Sequence, residues 1–266
     1  MKKAVLVLVL IVMVALPAAF AQSLKGMSLN GATGLIGIPS GRIGWERTSD
    51  FGFDLGYHAI LDDDDANHIP KASVSLFRLL EVSGAYDIQD DNNSSIEDES
   101  DLIIGGKIQL LTEGTAVAIG GNAQMIKVND ESYQATQIYL AATYPGNFFS
   151  MPAETTFVVG KSFGDNEVTP GDEAIDFGMG FDLILFPEVF QGYVHWINDF
   201  ANFSYSQDPR GANAGFRGAF NTGIRIDVAA NPNLSKYKFV IDAIMTDALD
   251  ENRAFALGLA FGAPLM

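Results

Sequence analysis

The chain has 266 residues, no cysteine, 48% hydrophobic residues and a formal net charge of -17. Without cysteine there is no disulfide, no thiol nucleophile and no thiolate metal site. The acidic balance argues against a nucleic-acid partner, whose phosphates call for clustered Lys and Arg.

The chain opens MKKAVLVLVLIVMVALPAAFA. Two lysines, a long apolar run and the small-residue end Ala19-Phe20-Ala21 form the three regions of a secretory signal peptide over residues 1–21. Export is therefore expected, with a mature chain starting at Gln22. After this leader no run of about 18 apolar residues recurs, so no later transmembrane helix is expected.

Residues 22–50 form a second unit, too rich in glycine between Gly31 and Gly41 for a helix interior. This segment can be an extra strand, or a plug tucked into the interior of whatever follows.

From residue 51 onward the chain alternates. FGFDLGYHAI sets Phe51, Phe53, Leu55 and Tyr57 against Gly52, Asp54, Gly56 and His58. IDFGMGFDLILF sets Ile175, Phe177, Met179 and Phe181 against Asp176, Gly178, Gly180 and Asp182. RAFALGLAFG does the same with Phe255, Leu257, Leu259 and Phe261. Period two over so many segments specifies strands. About twelve are expected, within a range of about ten to fourteen: near 51–60, 70–79, 80–89, 101–111, 115–126, 133–145, 154–163, 175–186, 188–200, 216–230, 236–247 and 253–262.

The connectors fall into two alternating sets. One is short or turn-like, such as FPE and NPNLSK. The other is polar and often long, such as LDDDDANHI, DDNNSSIEDESD and GDNEVTPGDEA. Short turns on one rim and polar loops on the other mark an up-and-down outer-membrane barrel. The second face of each strand is made of Gly, Ala, Ser and scattered charge, and the first is large and aromatic. In a bilayer all backbone groups must pair internally, which a sheet achieves only by closing. The expected fold is thus all-β: a closed antiparallel transmembrane β-barrel over residues 51–266, greasy side out, glycines and aspartates in. Tyr57, Tyr144, Phe148, Phe149, Phe186, Phe190, Trp196, Phe200 and Phe203 lie near strand ends, where interfacial aromatics belong. A soluble β-sandwich with the greasy face as its core is the alternative.

The stretch LNGATGLIGIPSGRIGWERTSDFGFDLGYH resembles the N-terminal motif of YjbH-type outer-membrane proteins associated with exopolysaccharide operons. The matching residues are Gly31, Thr33, Gly34, Leu35, Pro39, Ser40, Gly56 and Tyr57. The resemblance implies an outer-membrane barrel with a role in polysaccharide export, and it carries no catalytic residue. Because strand follows that motif directly, we favour an added or partial strand for residues 22–50.

The predicted lumen carries both charge signs: Asp54, Glu81, Asp87, Asp176, Asp182, Asp227 and Asp242 with Lys71, Lys107, Lys161, Arg225 and Lys238, alongside the inward His58 and His195. Such walls set the selectivity of a channel, or cross-link a closed interior. Asp62, Asp63, Asp64 and Asp65 offer oxygen ligands for calcium but lack the spacing of a calcium loop. No G-x-S-x-G, phosphate loop or zinc spacing occurs, so no enzyme and no cofactor is expected. The function read from the sequence is a narrow porin-like channel or a barrel assisting polysaccharide export in a Gram-negative-type outer membrane. Its expected partners are outer-membrane lipid, the barrel-assembly machinery and polysaccharide or small polar solutes. A non-conducting structural or adhesive barrel with acidic surface loops is the alternative.

Overall fold

In the computed structural model the described residues are 26–46, 48–62, 65–90, 99–111, 114–128, 131–164, 175–206, 218–250 and 253–265. The expected signal peptide lies outside them. Twelve antiparallel strands close into a barrel. They are β1 (Phe51–Asp62), β2 (Asp65–Leu76), β3 (Leu80–Asp90), β4 (Glu99–Leu111), β5 (Ala116–Val128) and β6 (Glu131–Phe148). The ring continues with β7 (Met151–Gly164), β8 (Asp176–Ile184), β9 (Val194–Ala201), β10 (Ala219–Asp227), β11 (Lys238–Thr246) and β12 (Ala254–Leu265). Each strand pairs with its sequence neighbours, and β1 closes the ring on β12, from Phe51↔Leu265 to Leu61↔Phe255. That direct pairing leaves no edge for a thirteenth strand, and no two-sheet sandwich forms.

The period-two pattern gives this barrel its two faces. Outward positions are large and exposed: Leu55 53%, Leu259 50% and Phe177 38%. Inward positions are buried: Asp54, His58, Ser73, Asp182 and Asp242. β12 runs to Leu265, carrying the last strand past Phe261.

Three expected boundaries shift. β2 begins at Asp65, which pairs directly with Asp62, so strand takes up most of the expected LDDDDANHI connector. Asp63 and Asp64 themselves lie outside the described residues. The following turn is Phe77–Leu79, with Phe77 and Arg78 both at φ 57. Strand is also expected from residue 188, but a one-turn helix, α1 (Pro187–Phe190), stands there and β9 begins only at Val194. Pro187 at the first helical position explains this: it lacks the N–H a strand ladder needs, and its φ suits a helix start. The third shift concerns YPGNFFSMPAE, most of which is strand. Only Phe149 and Ser150 turn, both at positive φ, in the sense a two-residue hairpin requires.

Candidate functional site: an occupied lumen

Residues 26–46 lie inside the ring, and every one of them is buried. The segment folds back on itself through two isolated bridges, Met27↔Thr33 and Gly34↔Pro39. It joins β1 at the short-turn rim. Its apolar side chains fill the middle of the barrel: Leu29 and Ile36 pack with the inward Ile60, Ile69, Ile103, Ile197 and Ile244. Leu35 and Ile38 pack with Tyr139, Val158 and Phe203. Glycine lets the backbone reach the wall. Gly31 has φ +89, and a Cβ there would stand 2.6 Å from the Gly84 carbonyl oxygen. A Cβ on Gly41 would stand 2.4 Å from the carbonyl oxygen of Ala116.

A strandless backbone leaves its polar groups to be satisfied by other means, and the wall supplies charged partners. Glu81 accepts hydrogen bonds from the Thr33 amide (2.7 Å), the Thr33 hydroxyl (2.6 Å) and the Gly44 amide (3.0 Å). Lys107, directly across from Glu81, donates to the carbonyls of Thr33 (2.7 Å) and Ser40 (3.1 Å). Asp199 accepts from the consecutive amides of Ile36 (2.8 Å) and Gly37 (2.7 Å), and Asn221 steadies its other oxygen at 2.7 Å. Lys71 donates to the Ser28 carbonyl at 2.7 Å, and the Thr143 hydroxyl accepts from the Gly41 amide at 2.9 Å.

Ion pairs surround these contacts. Arg42, fully buried, meets Glu154 through Nε (2.9 Å) and a terminal nitrogen (2.8 Å), and Glu46 at 2.8 Å. Burial alone would lower the pKa of that guanidinium. Glu154 and then Glu46 outweigh it and hold it above its usual value. Gln109 steadies Glu46 at 2.6 Å. Lys238 meets Asp54 at 3.0 Å and lies over the ring of Trp45, whose indole N–H also donates to Asp54 at 3.1 Å. Arg225 clasps Asp242 at 2.8 and 2.9 Å, with His58 3.4 Å from the same carboxylate. His195 and Asp182 are 2.6 Å apart.

Toward the long-loop rim, residues after β9 fold inward. The Tyr205 hydroxyl donates to Asp87 at 2.6 Å, and Ser206 reaches Asp101. Burial, then Asp87 beside it, raises the Tyr205 pKa well above normal and keeps it a donor. Phe203 is therefore buried against the plug rather than set in an interfacial girdle.

Of the charged residues expected in the lumen, Asp54, Lys71, Glu81, Asp87, Lys107, Asp176, Asp182, Arg225, Asp227, Lys238 and Asp242 are buried there, with His58 and His195. Lys161 is not. It stands opposite the exposed Ile138, one position out of step with the inward Gly160 and Ser162, and its ammonium lies 5.7 Å from the ring of the outward Phe163. The parity of Phe157, Val159 and Phe163 already carries that information. Sequence reasoning missed Glu154 and Asp199, which both hold the plug, although the parity of their strands marks them as inward. Arg42 has no strand parity to mark it.

No protein-family model and no curated protein matches the chain. Among solved structures it is similar to a KdgM porin, at 6% identity and a TM-score of 0.49 over 80% of this chain and 99% of that one. It is similar to the Acinetobacter baumannii outer membrane protein Omp33, at 11% identity and a TM-score of 0.43 over 82% and 100%. It is also similar to the translocator domain of the Neisseria meningitidis autotransporter NalP, at 7% identity and a TM-score of 0.38 over 82% and 90%. Likeness at this level is one of barrel outline and transfers nothing to the lumen.

Proposed function

We propose that the protein is an outer-membrane β-barrel whose lumen is a narrow polar passage held shut by its own N-terminal segment. The placement in a membrane rests on the closed ring and its exposed apolar outer face. A soluble protein rarely bares apolar surface on that scale, and a closed sheet is the form in which strands can cross a bilayer. Outer-membrane lipid then takes the place of a solvent, and the barrel-assembly machinery is the expected folding partner.

The observation that carries the gated reading is the way the plug is held. Its backbone amides and carbonyls are bound by acidic and basic side chains of the wall, Glu81, Lys107, Asp199 and Lys71. A barrel that merely needed filling is served as well or better by apolar packing, since buried ion pairs seldom repay their desolvation. Withdrawal of the plug uncovers a wall of both charge signs suited to small polar solutes. Polysaccharide as cargo is the finer form of this reading and rests on the YjbH-type resemblance.

Planar-bilayer recording tests the proposal. The native chain should be closed for most of the record, and Gly41→Val, which cannot seat against Ala116, should show steady conductance steps. A second reading, a non-conducting structural barrel, is favoured by the apolar packing of Leu29, Leu35, Ile36 and Ile38 against the inward wall. Silence from every plug variant decides for it.

A further inference from the structure

The plug carries a cation of its own into one part of the wall. The Arg42 guanidinium lies against Glu154 at 2.9 and 2.8 Å, and one terminal nitrogen also donates to the Gly114 carbonyl at 3.1 Å. Glu154 stands directly across from Asp182 on the inward face of β7 and β8, and His195 lies 2.6 Å from Asp182. Gly114 belongs to the turn between β4 and β5, so this seat is at the short-turn mouth of the lumen. Other acids that hold the plug also take donors from it: Glu81 and Asp199 accept its amides. Three wall cations are bound to wall carboxylates that remain when the plug leaves. Lys107 is 3.3 Å from Glu81, Lys238 is 3.0 Å from Asp54 and Arg225 is 2.8 Å from Asp242. Among the described residues, the inward strand positions bury ten Asp or Glu side chains against four Lys or Arg. Glu154, Asp182 and Asp199 lie outside those three pairs.

Resting on the gated reading above, we infer that the opened passage selects cations, and that its mouth takes a guanidinium or ammonium group of a small polar solute at Glu154, in the seat that Arg42 leaves. Withdrawal of the plug removes the Arg42 cation and returns water to Glu154 and Asp182. A hydrated carboxylate is charged at neutral pH. Two such charges on strand positions about 5 Å apart attract a cation and repel an anion. Acidic side chains lining a pore are a common device of cation selectivity. The shape of the seat narrows the class further. A carboxylate matches the planar fork of a guanidinium, and the Gly114 carbonyl adds an acceptor that serves a donor-rich cation and gives nothing to an anion. The plug is thus seated by the same chemistry that the solute would use.

Planar-bilayer recording of the full chain carrying Gly41→Val, under a potassium chloride gradient, tests the selectivity. The reversal potential should take the sign of a cation-selective pore, and Glu154→Gln added to that chain should move it toward zero. Guanidinium chloride at millimolar concentration should lower the open current. Urea, of the same shape without the charge, should not. Glu154→Gln should weaken the guanidinium effect about tenfold, the effect of losing one charge-assisted hydrogen bond. Glu188→Gln, which removes an exposed carboxylate on α1 outside the lumen, should change neither reading. Heat-modifiable gel migration establishes that each variant is folded, and Asp182→Asn serves should Glu154→Gln fail that check. A conducting pore that prefers anions or has no preference, or equal effects of guanidinium and urea, overturns the selectivity while the gate stands. A folded Gly41→Val chain that never conducts overturns the gate and the selectivity with it.

Discussion

Glu81 and Lys107 stand across from each other on β3 and β4, 3.3 Å apart, and both also bind Thr33 of the plug. The pair is thus shared between wall and plug. Its carboxylate takes amides and a hydroxyl while its ammonium takes carbonyls. Loss of either member strands the other in the lumen and removes several plug contacts at once.

Glu81→Ala should therefore open the passage. Three plug donors lose their acceptor and Lys107 is left uncompensated, at a cost on the order of 3–5 kcal/mol. Single-channel recording should show frequent openings where the native chain is closed. An unchanged closed record in a correctly folded variant disproves the latch.

The seat of the plug should be sterically exacting. Gly41→Val drives a side chain into the carbonyl of Ala116, an overpacking cost of about 1–3 kcal/mol. Limited proteolysis should cut residues 26–46 in this variant and spare them in the native chain, while the barrel band on the gel stays intact. Equal protection of both chains rejects the prediction.

Arg42 is a stability residue as well as a tether. Arg42→Ala buries Glu46 and Glu154 without their cation and should cost about 3–5 kcal/mol. The temperature at which the folded band disappears on an unboiled-to-boiled gel series should fall clearly. Restoration by a second change, Glu154→Gln, identifies the uncompensated carboxylate as the cause.

The orientation of the wall can be read with single cysteines, since the chain has none of its own. A fluorophore at Leu259→Cys should be quenched by a lipid-borne quencher, and one at the neighbouring Ala260→Cys should be shielded. The reverse result turns the barrel inside out. In the same spirit, Phe177→Arg, placed in the apolar belt, should destabilise the inserted barrel by up to about 2–4 kcal/mol.

The strand number, the antiparallel meander and the choice of outward face are legible in the sequence alone, because a strand exposes its side chains with a period of two. Phe177 and Gly178 reveal their sides by position. The same rule, applied to Phe157, Val159 and Phe163, also places Lys161 outside; its charge suggests the lumen, and register overrides charge because a single residue cannot leave its row without flipping the strand. Residues 26–46 have no such ruler. Their glycines permit an added strand or a plug, and the added strand favoured from the sequence is wrong for residues 26–46: the closure of β1 on β12, with Glu81, Lys107 and Asp199 waiting inside for unpaired backbone, makes them a plug. Phe203 follows the same logic: past the end of β9 no ladder governs it, and contact with Leu35 and Ile38 draws it inward. Local periodicity determines what the backbone hydrogen-bonds into a ladder; where no ladder exists, the partners that satisfy the chain are distant in sequence and only the folded ring brings them near.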